Sequence, residues 1–337
     1  MASPLVGIVI LNWNRLELTQ ACLKSVDNQT YKNYKIYLID NGSQDGSVEW
    51  LKDQSQINTI YNAKNVGFAR AINQGITRSL EEDCRYVIAL NNDAEIATDW
   101  LAKLVAYMEK HPEAGFAQGA SMQSEHKDLF DSSGIYLERG FIPNQRAIGS
   151  PDPKTDMPII GPNAAGAIYR ADMLHTIRHS TTEYFDSRFF AYVEDVDFDL
   201  RCTMRGYKCG FVPGAKLFHI GSATGNAVAK KKMFWGSRNM VWLVCKNVPI
   251  GVLRKTIRPI TKSHLANLQF LWREQRANFY PYLNGLIVGL IALPWFMRRR
   301  WTNLRKQTIS NEELFEMLIP SNPPLSNPLR KLRNLLK

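Results

Sequence analysis

A chain of 337 residues, 45% hydrophobic and 22% charged, can bury a large core, which excludes a disordered or low-complexity protein. Its five cysteines (Cys22, Cys84, Cys202, Cys209 and Cys245) are odd in number and form no CxxC pair, so neither a zinc knuckle nor a disulfide framework is indicated and a reducing cytoplasm fits best. The formal charge of +11 is compatible with nucleic acid, anionic lipid or a polyphosphate ligand as partner, and where the charge lies along the chain selects among them.

The opening residues 1–15 are apolar but lack a basic region and a cleavage site, and they read as a strand. Val6 to Leu11, Tyr34 to Ile39, Ile57 to Tyr61 and Tyr86 to Leu90 are predicted strands, and Glu17 to Val26, Ser47 to Gln54, Phe68 to Leu80 and Asp99 to Lys110 have helical spacing. This alternation predicts an α/β domain with a mostly parallel sheet and helices on both faces, which places ligands at the carboxyl ends of the strands. Residues 121–158 read as a long excursion holding a small hairpin and a loop. A strand at Ala165 to Tyr169, a helix from Glu194, and two strands at Lys208 to Val212 and Lys216 to Ile220 follow. From about Ala227 to Trp301 the pattern is helical and basic, so the expected division is a catalytic domain over 1–225 and a basic helical region over 226–337.

Four clusters could carry chemistry. Asp40 ends a hydrophobic strand before Asn41-Gly42-Ser43; it can accept hydrogen bonds from a uracil or thymine edge, or cap the turn that follows. Asp93, after Leu90-Asn91-Asn92, can ligate Mg²⁺ or Mn²⁺, which take oxygen ligands and leave room for diphosphate oxygens; it equally suits a turn. Glu194, Asp195, Asp197 and Asp199 crowd a helix start beside Phe190 and Tyr192. Asp195 and Asp199 share a face there, and a carboxylate aimed into a cleft can deprotonate an incoming hydroxyl. His219 can ligate the same metal as Asp93, and Arg238 can meet a diphosphate, although each also suits a packing role.

Taken in order, Val9 to Arg15, Leu38 to Ser43 with Asp45-Gly46-Ser47, Asn65 to Gly75, Leu90 to Asp93, Ala165 to Ala167, Glu194 to Asp197 and His219 with Gly221-Ser222 resemble a family 2 glycosyltransferase of the GT-A, Rossmann-like fold. Within that family the chain is similar to the rhamnosyltransferase-type branch that elongates lipid-linked bacterial polysaccharides. The resemblance implies an inverting hexosyltransferase moving L-rhamnose from dTDP-rhamnose, with a UDP-hexose or UDP-N-acetylhexosamine donor and an inactive nucleotide-sugar-binding protein as the alternatives. It implies Asp195 as the catalytic base, Asp93 and His219 as ligands of Mn²⁺ or Mg²⁺, and Asp40 as the contact to the donor base. Asn12, Asn65, Gly67, Arg70, Asn91, Asn92 and Arg238 would line the nucleotide-sugar site. Asn91 stands where the family's DXD element usually has its first acid. No covalent sugar–enzyme intermediate and no catalytic Ser or Cys are expected.

Much of the positive charge lies in Lys230 to Lys232, Arg298 to Arg300, Arg305-Lys306 and the closing residues 329–337. With the stretch from Leu286 to Arg300, which carries Trp295, Phe296 and the triple Arg at one end, this pattern suits an anionic membrane surface, or docking on the protein's own domain or a homo-oligomer partner. The run from Leu283 to Met297 is broken by Asn284, Gly285, Gly289 and Pro294 and falls short of the ~20 residues a spanning helix needs. No zinc spacing, RNP-like signature or recognition-helix pattern supports nucleic acid. The expected partners are a nucleoside diphosphate sugar, a lipid-linked saccharide acceptor and the inner face of the plasma membrane.

Overall fold

The computed structural model describes residues 3–221 and 229–321. In chain order the elements are β1 (Val6–Asn12), α1 (Leu16–Asp27), β2 (Tyr34–Asp40), α2 (Ser47–Lys52), β3 (Asn58–Tyr61), α3 (Phe68–Glu81), β4 (Tyr86–Asn91), β5 (Ala94–Ile96) and α4 (Trp100–Lys110). There follow β6 (Ala114–Gln123), β7 (Phe130–Ser132), β8 (Ile135–Leu137), β9 (Pro143–Gln145), β10 (Gly166–Arg170), α5 (Ala171–Ile177), α6 (Glu194–Met204) and β11 (Lys208–His219). Helices α7 (Ala229–Asn247), α8 (Ile250–Glu274), α9 (Arg276–Ile291), α10 (Leu293–Arg305) and α11 (Asn311–Glu316) complete the described chain.

Among the described residues the main sheet runs β3-β2-β1-β4-β10-β6-β11-β5, with β7 on β6. Strand β1 pairs in parallel with β2 and β4, and β6 pairs in parallel with β11, while β10 is inserted antiparallel between β4 and β6. Alternation along β1 serves both faces: Ile8 and Ile10 join Leu23 of α1 and Leu104 of α4 on one side, and Val9 joins Ile72 and Ile76 of α3 on the other. Burying such side chains stabilises the sheet by about 1.5–3 kcal/mol each.

The expected α/β architecture is present, with two local differences. Lys208 to Ile220 is one strand to His219 rather than two, because Pro213-Gly214 is absorbed as a register shift between Val212 and Lys216. Strand β6 was not expected: its sequence AGFAQGASMQ is small and polar with no β-branched residue, unlike the apolar runs of β1 and β4, and its end overlaps the start of the excursion at 121. The hairpin expected in the excursion is the β8-β9 pair.

The expected boundary near 225 falls outside the described residues. The helices after it share a core with the parts before it: Val196 and Leu200 of α6 and Leu137 of β8 pack with Leu243, Val252 and Leu314. Beneath them lies a buried polar network. Lys246 Nζ donates to Asp186 at 2.9 Å and to Asp197 at 2.6 Å, Asp197 also takes Arg201 at 3.2 Å and Asn247 at 2.8 Å, and Arg299 pairs with Asp186 at 2.6 Å. Burial opposes ionisation of Asp186, but the charges of Lys246 and Arg299 win and hold its carboxyl well below the usual range.

Candidate active site

The parallel strands β1, β2 and β4 end together, and each ends in a polar residue held by its neighbours. Asn12 is fully buried; its Nδ2 donates to Asp40 at 2.9 Å and Ser43 at 3.2 Å, and its Oδ1 accepts from Thr19 at 2.8 Å and Asn92 at 3.2 Å. All four hydrogen-bonding positions of this amide are therefore in use, and it fixes the strand ends relative to one another. Asp40 is buried as well, accepting from Asn12 through Oδ2 and from the Gly42 and Ser43 amides, at 3.2 and 2.9 Å, through Oδ1. The turn-capping arrangement that the sequence offered as an alternative is thus present at Asp40.

Asn65 lies at the entry to α3, its Oδ1 accepting from Asn41 at 3.1 Å and from the Gly67 amide at 2.9 Å. Gly67 has φ of +87°, and a Cβ there would stand 2.6 Å from the Phe190 carbonyl, so only glycine allows residues 189–193 to come this close. Arg70 is exposed on the first turn of α3. Asn91 ends β4, its amide bonded to the Ala165 carbonyl at 3.0 Å.

Asp93 and His219 come together. The end of β11 pairs antiparallel with β5, matching His219 to Ala94, and His219 Nε2 lies 3.2 Å from Asp93 Oδ1. The other ring nitrogen, Nδ1, lies 2.9 Å from Asp131 Oδ2, a residue that sequence reasoning did not single out. Burial opposes protonation of His219, but hydrogen bonds to Asp131 and Asp93 and their charges raise its pKa to about 10. These residues fit a divalent cation: one carboxylate oxygen and one imidazole nitrogen converge, and the second ring nitrogen is bonded to a carboxylate, as in metal-binding histidines. Among the described residues no group of three or more His, Cys, Asp and Glu could hold the ion alone, so ligand oxygens would complete its shell.

Asp195 sits on the first turn of α6, where its Oδ1 accepts from the Val196 amide at 2.8 Å. Burial raises its pKa above the ordinary carboxylate value, against that backbone hydrogen bond. Its neighbour Glu194 is raised further by burial and by the Asp195 charge. The approach to Asp195 is strained: Phe190, Tyr192 and Val193 have φ of 67°, 69° and 69°, a costly region for aromatic and β-branched residues. Asn239 compensates by donating to the carbonyls of Phe189, Ala191 and Tyr192 at 3.0, 3.0 and 2.7 Å. Arg238 bonds to the Phe189 carbonyl at 2.9 Å and lies 4.2 Å over the Trp242 ring, so it supports the same loop. Burial lowers its pKa to about 10.

This combination of a mostly parallel sheet, a strand-end Asp–His pair and an acidic helix start is housed in the GT-A fold. Residues 7–166 match the family model described as Glycosyl transferase family 2. The chain is 30% identical over 115 residues to an uncharacterised glycosyltransferase of Haemophilus influenzae, covering 32% of this chain and 34% of that protein. It is 26% identical over 126 residues to TuaG of Bacillus subtilis, a teichuronic acid biosynthesis glycosyltransferase of putative status, covering 36% of this chain and 49% of that one. The structure of GalNAc-T7 with UDP, GalNAc and Mn²⁺ aligns with a TM-score of 0.57 at 14% identity, over 89% of this chain and 58% of that one. The aligned stretches thus span half or less of these curated relatives' lengths.

Proposed function

We propose that this protein is a metal-dependent, inverting glycosyltransferase that moves a sugar from a nucleoside diphosphate onto a lipid-linked saccharide in cell-surface polysaccharide synthesis. The observation that carries the reading is the meeting of Asp93 and His219 at 3.2 Å on strand ends that also bring Asn12, Asp40 and Asn92 together. In this reading Asn65, Gly67, Arg70 and Asn91 line the donor pocket, Asp40 holds the base edge, and Arg238 serves the diphosphate side through the loop it supports.

Asp93 and His219 would hold a divalent cation, Mn²⁺ or Mg²⁺, which when bound would supply charge neutralisation for the departing diphosphate. Asp195 takes the proton from the acceptor hydroxyl as its oxygen bonds to the anomeric carbon. The bond from that carbon to the diphosphate breaks on the opposite face, which inverts configuration. The raised pKa of Asp195 suits it to this proton transfer, because a more basic carboxylate removes a hydroxyl proton more readily.

The branch resemblance favours dTDP-rhamnose as donor. A panel of dTDP- and UDP-sugars, assayed for transfer and hydrolysis with Mn²⁺, Mg²⁺ or EDTA, tests this. Turnover of dTDP-rhamnose only with metal is expected; turnover of a UDP-hexose instead replaces the donor. Nucleotide binding without any turnover, lipid-linked acceptors included, would leave an inactive binding protein.

The acceptor's lipid places the enzyme at the inner face of the plasma membrane. No single described helix is long and apolar enough to cross a membrane. Helices α9 and α10, which pass that test only as a pair broken by a 65° bend, expose Ile291 at 73%, Trp295 at 74% and Trp301 at 60%, close in sequence to Arg298 and Arg305. Apolar and aromatic side chains among cations match an anionic bilayer surface. The basic residues 329–337 lie outside the described residues. Wild type should sediment with phosphatidylglycerol vesicles and release at high salt. The pair Ile291→Ser and Trp295→Ser should weaken binding about tenfold or more, since each buried side chain contributes ~1.5–3 kcal/mol. Equal sedimentation of that variant, or none by wild type, would refute the surface.

A further inference from the structure

We infer that Asp131 is a positioning residue that aims His219 at the cation site. The inference rests on the reading of His219 as a metal ligand. The two nitrogens of an imidazole face away from each other, and here each meets a different carboxylate: Nε2 faces Asp93 at 3.2 Å and Nδ1 faces Asp131 at 2.9 Å. With Asp131 accepting the Nδ1 proton, the proton displaced when a cation binds is the one on Nε2, which leaves the ligating lone pair beside Asp93. Asp131 stands behind the ring relative to Asp93, so it orients the histidine and does not join the coordination shell.

The fold delivers Asp131 to this place. Strand β7 pairs antiparallel with β6, and the register shifts between Ser121, matched to Ser132, and Met122, matched to Phe130. Asp131 occupies that irregular step, and Ser121 Oγ donates to its Oδ2 at 3.3 Å, which gives the carboxylate a second anchor. Strand β6 carries β11 on its other side, with Gln123 matched to His219, so Asp131 reaches the ring across one strand. The side chains of His219, Asp93 and Asp131 are 12%, 15% and 22% exposed, dry enough for these hydrogen bonds to govern the ring's orientation. The long excursion after β6 therefore contributes to the metal site.

The test uses the full chain with UDP and dTDP as nucleotide probes. Mn²⁺ affinity is followed by EPR titration, and nitrogen coupling to the bound ion by pulsed EPR. Asp131→Ala is expected to weaken Mn²⁺ binding about 10–100-fold and to reduce the imidazole coupling. Asp131→Asn, whose carbonyl can still accept from Nδ1 but carries no charge, is expected to lose about three- to tenfold. If Asp131→Ala does not fold, the near-isosteric Asn variant decides, and unchanged affinity and coupling there overturn the proposal. A variant at Asp131 that binds Mn²⁺ as wild type does, while His219→Ala loses it, overturns the positioning role alone. Unchanged affinity in His219→Ala, or no Mn²⁺ binding by wild type, overturns the ligand reading and this inference together.

Discussion

Replacing Asp195 by Asn should lower sugar transfer by about 10²–10⁴-fold, the range spanned by a positioned general base. Nucleotide and metal binding should survive, because Asp93, His219 and the Asn12–Asp40 network lie on other elements. Asn cannot accept the hydroxyl proton, yet it keeps the side chain's volume at the start of α6. The pH dependence has a determined sign. If Asp195 is the proposed base, its carboxylate is the working form, and because burial raises its pKa, activity is expected to be full well above that value and to fall as pH drops through it. The acid limb of kcat should therefore lie above the ordinary Asp range. Because Glu194 is also raised and adjoins it, the limb reports the pair as a unit. Retention of more than about a tenth of the transfer rate in Asp195→Asn would remove Asp195 as the base.

The second large effect is on stability. Lys246 is completely buried and bridges Asp186 and Asp197, so Lys246→Met should destabilise the fold by about 3–5 kcal/mol, leaving two buried carboxylates short of a partner. Asp186 keeps Arg299 and Asp197 keeps Arg201 and Asn247, which sets the expectation at the lower end of that range. Urea denaturation followed by circular dichroism measures the loss. Adding Asp197→Asn to Lys246→Met should restore part of it, since the second change removes a stranded charge. A loss below about 1 kcal/mol in the single variant would mean that the network contributes little. The consequence reaches the site, because Asp197 lies two residues after Asp195 on the helix that α7 clamps through Lys246 and Asn247.

The local features are legible in the residue pattern alone. Short β-rich apolar runs located β1, β2, β3 and β4, and helical spacing located α1 to α4, to within a few residues, because both signals are written into neighbouring side chains. The pattern also marked the strand-end acids Asp40 and Asp93, since a hydrophobic run that ends in a carboxylate is visible without knowing the fold. The tertiary structure decided what depends on strand order. It inserted β10 antiparallel, and it built β6 from a small and polar run with no β-branched residue. It brought Asp131 to His219 across 88 residues of sequence, and it turned Asp186, Asp197 and Lys246 into one buried network across 60. Sequence pattern reports how each residue faces its neighbours along the chain, whereas these contacts arise only when distant elements are stacked side by side. That is why Asp131 looked like one more polar residue of a long excursion.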